Sequence, residues 1–193
     1  MAAERQRGQR ADAVRNRERL LRVAVEAFAH DDGEVTMESV AKRAGVGIGT
    51  LYRHFPTRDA LVAAAYRHEV QRVCEAADAL LAERPADVAL RQWMDRFVDY
   101  VAAKKGMKSA LQGVVDADSS FFAETFGQIV GALDALLRAG VALGTIRADV
   151  DAQDVLRAMR AAWLTTDGPN GADHAGRLLD LLMDGLRYGA ARS

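Results

Sequence analysis

The stretch from Thr36 to Asp59, TMESVAKRAGVGIGTLYRHFPTRD, restricts the possible fold more than any other part of the sequence. Thr36 is of the type that begins a helix by accepting a hydrogen bond from a backbone N–H group. Gly45 can adopt the left-handed backbone that ends one helix and turns the chain sharply. A second short helix is expected to follow at once, near residues 47–53. The spacing therefore predicts a helix-turn-helix.

The second of these helices has an outward side that needs an explanation. Val46, Leu51 and Phe55 are expected to pack inward, because they are the apolar positions of the segment. The side chains left wholly or partly exposed are Ile48, Thr50, Tyr52, Arg53 and His54. A helix presented in this way fits the major groove of DNA, where hydroxyl, imidazole and guanidinium groups reach phosphates and base edges. A small helical subdomain in which Tyr52 and His54 cover the edge of the core explains the same pattern, since helix-turn-helix arrangements also occur in proteins that do not bind DNA.

Charge is distributed unevenly along the chain. Residues 1–58 carry 11 Arg and Lys against 8 Asp and Glu, whereas residues 59–193 carry 15 against 19. Most of the positive excess lies in the first 22 residues, and we expect residues 1–14 to form a basic, disordered arm before a helix at residues 16–29. Such an arm suits a polyanion, and a solubilising tail has the same composition.

Apolar residues at helical spacing continue to the carboxyl terminus, with no strand pattern. Further helices are predicted from Thr57 to about Glu83, from Pro85 to Lys104–Gly106, from Met107 to Val115, from Asp118 or Ser119 to Gly140, from Asp151 to a loop at residues 165–176, and from that loop to the end. The predicted fold class is all-α, with a helix-turn-helix domain at residues 15–60 and a second helical domain at residues 61–193.

Bulky apolar side chains are concentrated between Trp93 and Phe126. A small-molecule cavity is often lined by such residues, although core packing is the commoner reason for apolar stripes. The candidates for contact with a ligand are Trp93, Met94, Phe97, Tyr100, Met107, Phe122 and Phe126. Because no matched carboxylates or basic cluster accompany them, we expect a mainly apolar small molecule.

No catalytic, cofactor or metal site is predicted. His68 and Glu69 resemble the start of a zinc-protease helix, but Arg72 occupies the place of the second histidine. Cys74 is the single cysteine and is expected to pack as a small apolar residue. No apolar run approaches the roughly 20 residues of a membrane span, and the amino terminus lacks the apolar core of a secretory signal, so we expect a cytoplasmic protein without a membrane partner.

The segment AKRAGVGIGTLYRHFPTRDAL resembles the amino-terminal domain of the TetR family of bacterial transcriptional regulators. The resemblance rests on Gly45, Val46, Gly49, Thr50, Leu51, Tyr52, His54 and Phe55. It implies that Thr36, Thr50, Tyr52 and His54 contact phosphates or base edges, and that Arg58 stands where such proteins often place a phosphate-binding lysine. Gly47 departs from the family pattern, because a serine or threonine hydroxyl that could cap the helix and contact DNA is absent there.

The resemblance also implies an effector pocket in the second domain and a dimer in which the last two helices pair with their copies. Gly185 and Gly189, one turn apart, allow close helix approach, although an intramolecular hairpin would use them too. The predicted interface residues are Leu156, Trp163, Leu178, Leu182, Gly185, Leu186 and Gly189. The implied function is a homodimeric repressor, associated with the nucleoid, that binds a palindromic operator on double-stranded DNA and is released by a small-molecule effector. A helical small-molecule binding module that does not read DNA, and a DNA-bound architectural or protein-docking factor without an effector, remain as alternatives.

Overall fold

The computed structural model describes residues 2–30, 35–118, 120–164 and 171–190; the side chains at positions 2–11, 13, 30, 117, 161–164, 171 and 172 lie outside that description. All regular structure in these residues is helical, which confirms the predicted all-α class. The helices are α1 Ala2–His30, α2 Met37–Arg43, α3 Ile48–His54, α4 Arg58–Glu83, α5 Ala86–Gly106, α6 Lys108–Ala117, α7 Phe121–Ala142, α8 Ala152–Leu164 and α9 Gly171–Arg187.

Two helices begin earlier than predicted. α1 begins at Ala2 instead of residue 16, so the segment expected to be a disordered arm has a helical backbone. Its alanine, glutamate, glutamine and arginine residues all favour helix, and Arg15 pairs with Asp12 one turn before it. α9 begins at Gly171, inside the predicted loop at residues 165–176, with Asp173 in its first turn where the helix dipole favours an acid.

The chain divides into two compact units, and the first is Met1–Glu69 together with Ala103–Phe121. The unit that holds the helix-turn-helix therefore includes α6, beyond the boundary predicted at residue 60. In this unit α1 packs against α2, and α2 packs against α3. Its core is built from apolar side chains of α1 to α4 and α6, together with Met107 just before α6; they include Leu20, Leu21, Val40, Leu51, Leu61 and Leu111.

The turn between α2 and α3 depends on Gly45, which has a φ of +63°. Its N–H donates to the Lys42 carbonyl at 3.1 Å, and the Val46 N–H donates to the Ala41 carbonyl at 3.0 Å. These two bonds form a Schellman motif, which satisfies carbonyls at the end of α2 and redirects the chain. The predicted glycine turn is confirmed, and it brings α3 directly after α2.

The end of α5 lies against the end of α1 within the first unit. A Cβ atom on Gly106 would stand 2.2 Å from the Ala29 carbonyl oxygen and 2.6 Å from the Ala29 Cα. No side chain fits in this space, so the contact requires glycine. Gly106 therefore sets how α5 leads into α6.

The second unit is Val70–Ala102 together with Phe122–Ser193. Trp93 is fully buried in it, and its indole N–H donates to the Val73 carbonyl at 2.8 Å. The Trp93 ring stacks on Phe97 with centroids 5.7 Å apart. α8 packs against α9, and ion pairs from Arg91 to Asp180 and from Arg187 to Asp87 join α5 to α9.

Candidate nucleic-acid interface

α3 has one buried anchor and an exposed outer side. Leu51 is fully buried and Phe55 is 3% exposed, as predicted. Ile48 and Tyr52 keep 39% and 44% of their surface exposed, although both are large and partly apolar. Arg53 is exposed, whereas Thr50 and His54 are half-buried. The outward side predicted from the spacing is therefore present.

Thr36 caps α2 in the predicted manner. Its backbone is extended, its hydroxyl oxygen accepts a hydrogen bond from the Ser39 N–H at 3.2 Å, and the Ser39 hydroxyl donates to the Thr36 carbonyl at 2.8 Å. Glu38 lies in the first turn, where the helix dipole favours a negative charge. The Thr36 side chain is exposed, so its O–H remains oriented toward solvent or a partner.

Gly47 precedes α3 without a side-chain cap. Its φ of −67° and ψ of 141° are accessible to any residue. An added Cβ would meet no heavy atom within 4 Å. Its carbonyl accepts from the N–H groups of Thr50 at 2.8 Å and Leu51 at 3.2 Å. Neither backbone strain nor lack of space therefore explains the glycine at this position.

Arg53 folds back along its own helix. Its Nε–H donates to the Gly49 carbonyl at 3.2 Å, and Nη2 donates to the Thr50 hydroxyl oxygen at 3.0 Å. The guanidinium is thereby held on the outer side of α3, four residues after Gly49 and three after Thr50. Sequence spacing gave both residues as outward-facing but did not reveal that one holds the other.

Arg58 differs from the other predicted DNA contacts, because the fold occupies its guanidinium. The charged group stands 5.0 Å from the centre of the Phe28 ring, and Nε donates to the Val35 carbonyl at 3.4 Å. Its side chain is half-buried. In this conformation Arg58 ties α4 to α1 and to the segment before α2, and its phosphate contact stays a prediction.

Arg17 is a cation near α3 that the sequence analysis did not single out. It is exposed on α1, and its guanidinium stands 5.6 Å from the centre of the Phe55 ring. The 38 positions that separate the two residues leave no local spacing that could reveal this contact. The structure adds Arg17 to the positive charge beside α3.

The predicted effector residues are mostly buried. Their exposed fractions are 0% for Trp93 and Met94, 3% for Phe97, 5% for Tyr100 and 1% for Met107. Phe122 is half-buried and Phe126 is 39% exposed. Met107 belongs to the first unit and the other six to the second. Within the described residues Thr125 is the polar side chain that is fully enclosed, at 1% exposure.

The outward surface of α9 differs from the predicted interface. Leu186 of α9 and Leu156 of α8 are only 3% and 2% exposed, because they pack inside the protomer. These two residues are therefore removed from the predicted dimer face. Gly189 has a φ of +83°, so the turn after α9 explains this glycine. Trp163 lies outside the described side chains.

Leu181 on α9 and Tyr188 in the turn just after it are exposed residues that the predicted interface did not include. They are 69% and 74% exposed, and Gly185 between them is exposed as well. Leu178 and Leu182 are half-buried on the adjoining strip. Residues 181, 185 and 188 share one helical face because they are four and three positions apart, a signal that the sequence did contain.

Nothing in the described chain points to redox or metal chemistry. Cys74 is half-buried, and burial raises the pKa of its thiol, with a further increase from Asp78 and Glu75. A thiol kept neutral in this way is a poor nucleophile. Across the described ranges no group of His, Cys, Asp and Glu is placed to hold a metal ion. None of the helices in these ranges has the length and apolar character to cross a membrane.

Two family models match the chain. Residues 20–65 match the model described as bacterial regulatory proteins of the tetR family, and residues 85–188 match the carboxy-terminal domain of the SbtR-like transcriptional regulators. The first match contains α2 and α3, and the second contains the buried aromatic residues of α5 together with α9.

Solved structures of full length resemble the chain as well. The TetR transcriptional regulator SCO0520 from Streptomyces coelicolor is 45% identical, with 89% of this chain and 98% of that chain covered and a TM-score of 0.82. The TetR transcription regulatory protein from Mycobacterium vanbaalenii is 37% identical, with 93% and 99% covered and a TM-score of 0.74.

A curated relative matches over a shorter segment. The HTH-type transcriptional regulator SAB2452 from Staphylococcus aureus is 42% identical over 53 residues, which is 27% of this chain and 29% of the relative. The chain thus aligns with less than a third of that protein. The family models and the relatives describe transcriptional regulators, which are not enzymes. Together with the full-length matches, they confirm the resemblance seen around Gly45 and Tyr52: the chain belongs to the TetR family of bacterial transcriptional regulators.

Proposed function

We propose that the protein is a ligand-responsive repressor that binds a palindromic DNA operator as a homodimer and is released by a mainly apolar small molecule. The observation that carries this proposal is the outer side of α3, where Ile48, Tyr52 and Arg53 are exposed around a helix anchored by the buried Leu51. Nothing in the described chain covers these side chains. A DNA groove would bury the apolar atoms and provide acceptors for the guanidinium.

The chemistry of the outer side divides into two kinds of contact. The Tyr52 hydroxyl, the His54 imidazole and the exposed Arg17 are suited to phosphate oxygens, which position a protein without reading sequence. The Ile48 side chain is suited to the methyl group of thymine in the major groove. A short helix that offers few base contacts gains useful affinity and specificity when a two-fold axis places a second copy on the other half of a palindrome.

The proposed release by a small molecule is supported by the buried aromatic residues of the second unit. Its buried Trp93, Phe97 and Tyr100 provide aromatic surface, and Thr125 is the buried polar side chain in the described part of this unit. Such surroundings favour an uncharged, mainly apolar effector, because an unpaired charge is costly to bury. The effector lowers operator affinity only if it binds more tightly to the conformation that cannot bind DNA.

A gel-shift titration of the full chain against the DNA upstream of its own gene tests the proposal. We expect a retained complex that resists nonspecific competitor and weakens as salt rises, because phosphate contacts release counterions. Tyr52→Phe and His54→Ala should lower affinity for all sequences alike, whereas Ile48→Ala should change the preference at one base pair. Equal binding to operator and unrelated DNA would refute sequence-specific repression.

A thermal-shift screen of lipophilic compounds tests release. A true effector should raise the melting temperature of the protein, because it adds about 2.7 kcal/mol to the free energy of unfolding at a free concentration 100 times its dissociation constant. The same compound should then dissociate the operator complex in the gel shift. Compounds that stabilise the protein without dissociating the complex would contradict the proposed coupling.

A further inference from the structure

We propose that Arg53 reads a guanine in the operator and that Thr50 acts by positioning Arg53 rather than by reading a base itself. The inference rests on the proposed DNA-binding function and assigns specificity within the outer side of α3. It follows from the two hydrogen bonds that hold the guanidinium, from Nε–H to the Gly49 carbonyl at 3.2 Å and from Nη2 to the Thr50 hydroxyl oxygen at 3.0 Å.

The guanidinium carries five N–H groups in a rigid plane. Its Nε–H and one N–H of Nη2 lie on the same edge of the fork, and this edge faces the helix. The opposite end, formed by Nη1 and the second N–H of Nη2, is left to a partner. Two adjacent N–H groups on one planar end match the O6 and N7 acceptors of guanine, which is the commonest specific contact of arginine in the major groove.

The fixed plane of the Arg53 guanidinium suits a base edge. The side chain is exposed and lies on the same helix as the exposed Ile48 and Tyr52. A bidentate contact to a base edge requires a fixed guanidinium plane, because two N–H groups must meet two acceptors on one planar edge. The hydrogen bonds that Arg53 donates to Gly49 and Thr50 fix this plane before DNA arrives, which lowers the entropy lost on binding.

Thr50 is therefore a positioning residue. Its hydroxyl is half-buried on α3 and is used as the acceptor for Arg53. Removal of the hydroxyl should weaken the same guanine preference that removal of the guanidinium abolishes. A residue that read its own base would instead change the preference at a different base pair.

The test measures base preference at every position of the half-site. The operator is first selected from random DNA with the full wild-type chain, and every base pair is then varied singly in competition gel shifts. Arg53→Gln should lose discrimination at one G·C pair by about 5- to 150-fold, the range for a bidentate contact. Thr50→Val, which keeps the shape of the side chain, should lose about 2- to 12-fold at the same pair. Thr50→Ser keeps the hydroxyl and should match the wild type.

Two further variants separate the possible roles. Arg53→Lys keeps the charge but not the fork, so it should retain the salt dependence while it loses the guanine preference. The double variant Thr50→Val, Arg53→Gln should discriminate at that pair no worse than Arg53→Gln alone, because the hydroxyl acts through the guanidinium. Thermal melting of each variant checks that the exposed substitutions leave the fold intact.

Three results would overturn the inference. In the first, Arg53→Gln weakens all sequences equally and lowers the salt slope by about one, as loss of a phosphate contact does. In the second, Thr50→Val changes a base pair other than that of Arg53, or the two effects add. If the wild type still binds DNA specifically, either of these two results overturns this inference and leaves the proposed function standing. In the third, the wild-type chain selects no sequence, which overturns the proposed function together with the inference.

Discussion

Two glycines beside α3 look alike in sequence but play different physical parts. Gly45 and Gly47 both have open space where a Cβ would stand, with no heavy atom within 4 Å. Gly45 has a φ of +63°, whereas Gly47 has a φ of −67°. An L side chain is strained in the first conformation and relaxed in the second, so substitution at the two sites isolates backbone strain from crowding.

We expect Gly45→Ala to lower the free energy of unfolding by about 1–2 kcal/mol, because alanine must adopt the left-handed conformation. Gly47→Ser should raise the free energy of unfolding by a few tenths of a kcal/mol, since its hydroxyl can accept from an N–H group in the first turn of α3. Urea denaturation of the full-length variants, followed by circular dichroism, measures both. Equal losses at the two positions would show that the φ angle is not the deciding factor.

The contrast between local and distant contacts also explains which site residues were predictable. Thr36 and Gly45 act on backbone groups within five residues of themselves, so their roles were correctly predicted from spacing. Arg58 was assigned to phosphate, but its partners Phe28 and Val35 lie 30 and 23 positions earlier in the chain. Such partners are set by how α1, α2 and α4 pack, which local pattern does not determine.

At the scale of the helices, the approach of α5 to α1 is limited by Gly106. An added Cβ there would come within 2.2 Å of the Ala29 carbonyl oxygen, which is backbone and cannot rotate away. In α6 a Cβ on Gly113 would stand 3.2 Å from the carboxylate oxygens of Asp59, which belong to a flexible, exposed side chain. The same substitution therefore meets a rigid obstacle at one site and a yielding one at the other.

Gly106→Ala should lower the free energy of unfolding by about 1–3 kcal/mol, the usual range for overpacking. Gly113→Ala should be close to neutral or stabilising, because alanine gains up to about 1 kcal/mol in helix propensity over glycine. Thermal melting compares the two, and operator binding below the melting temperature shows whether displacement of α5 reaches the DNA-binding unit. If Gly106→Ala melts like the wild type, α5 and α1 do not approach each other closely in solution.

Helix boundaries show a second limit of sequence reasoning. The starts of α2 and α4 were predicted from Thr36 and Thr57, whose hydroxyl oxygens accept from N–H groups in the first turn. The predicted start of α1 at residue 16 is too late, because the charge of the first 14 residues suggests disorder although the same residues favour helix. Composition alone does not separate a charged helix from a charged tail.

At the scale of the whole molecule, the all-α class and the family were both predictable, because helical spacing persists throughout and the motif around Gly45 is specific. The division of the chain into its two compact units was not predictable in the same way. α6 belongs to the unit with the helix-turn-helix, although more than 50 residues separate it from α3. A domain boundary predicted from the end of a sequence motif shows only where the motif stops. A compact unit is instead defined by packing between segments that are distant in sequence.

We expect the proposed dimer to form through the exposed face made by Leu181 and Gly185 of α9 and by Tyr188 just after it. We expect Leu181→Glu to convert the protein to monomers, because an unpaired carboxylate would be buried in the interface. Leu143 is the matched control: it is 68% exposed against 69% for Leu181, but it follows α7. Leu143→Glu should therefore stay dimeric. Sedimentation velocity at several protein concentrations measures the state of each variant.

Operator binding then connects the dimer to the palindrome. A monomeric Leu181→Glu protein should bind each half-site independently and weakly, so its binding should no longer depend on the spacing between half-sites. The wild type and Leu143→Glu should lose affinity when one base pair is inserted at the centre, because the insertion rotates and separates the half-sites. If Leu143→Glu converts the dimer to monomers and Leu181→Glu does not, the interface lies outside this face of α9. In that case the exposed Leu181 and Tyr188 would need another partner.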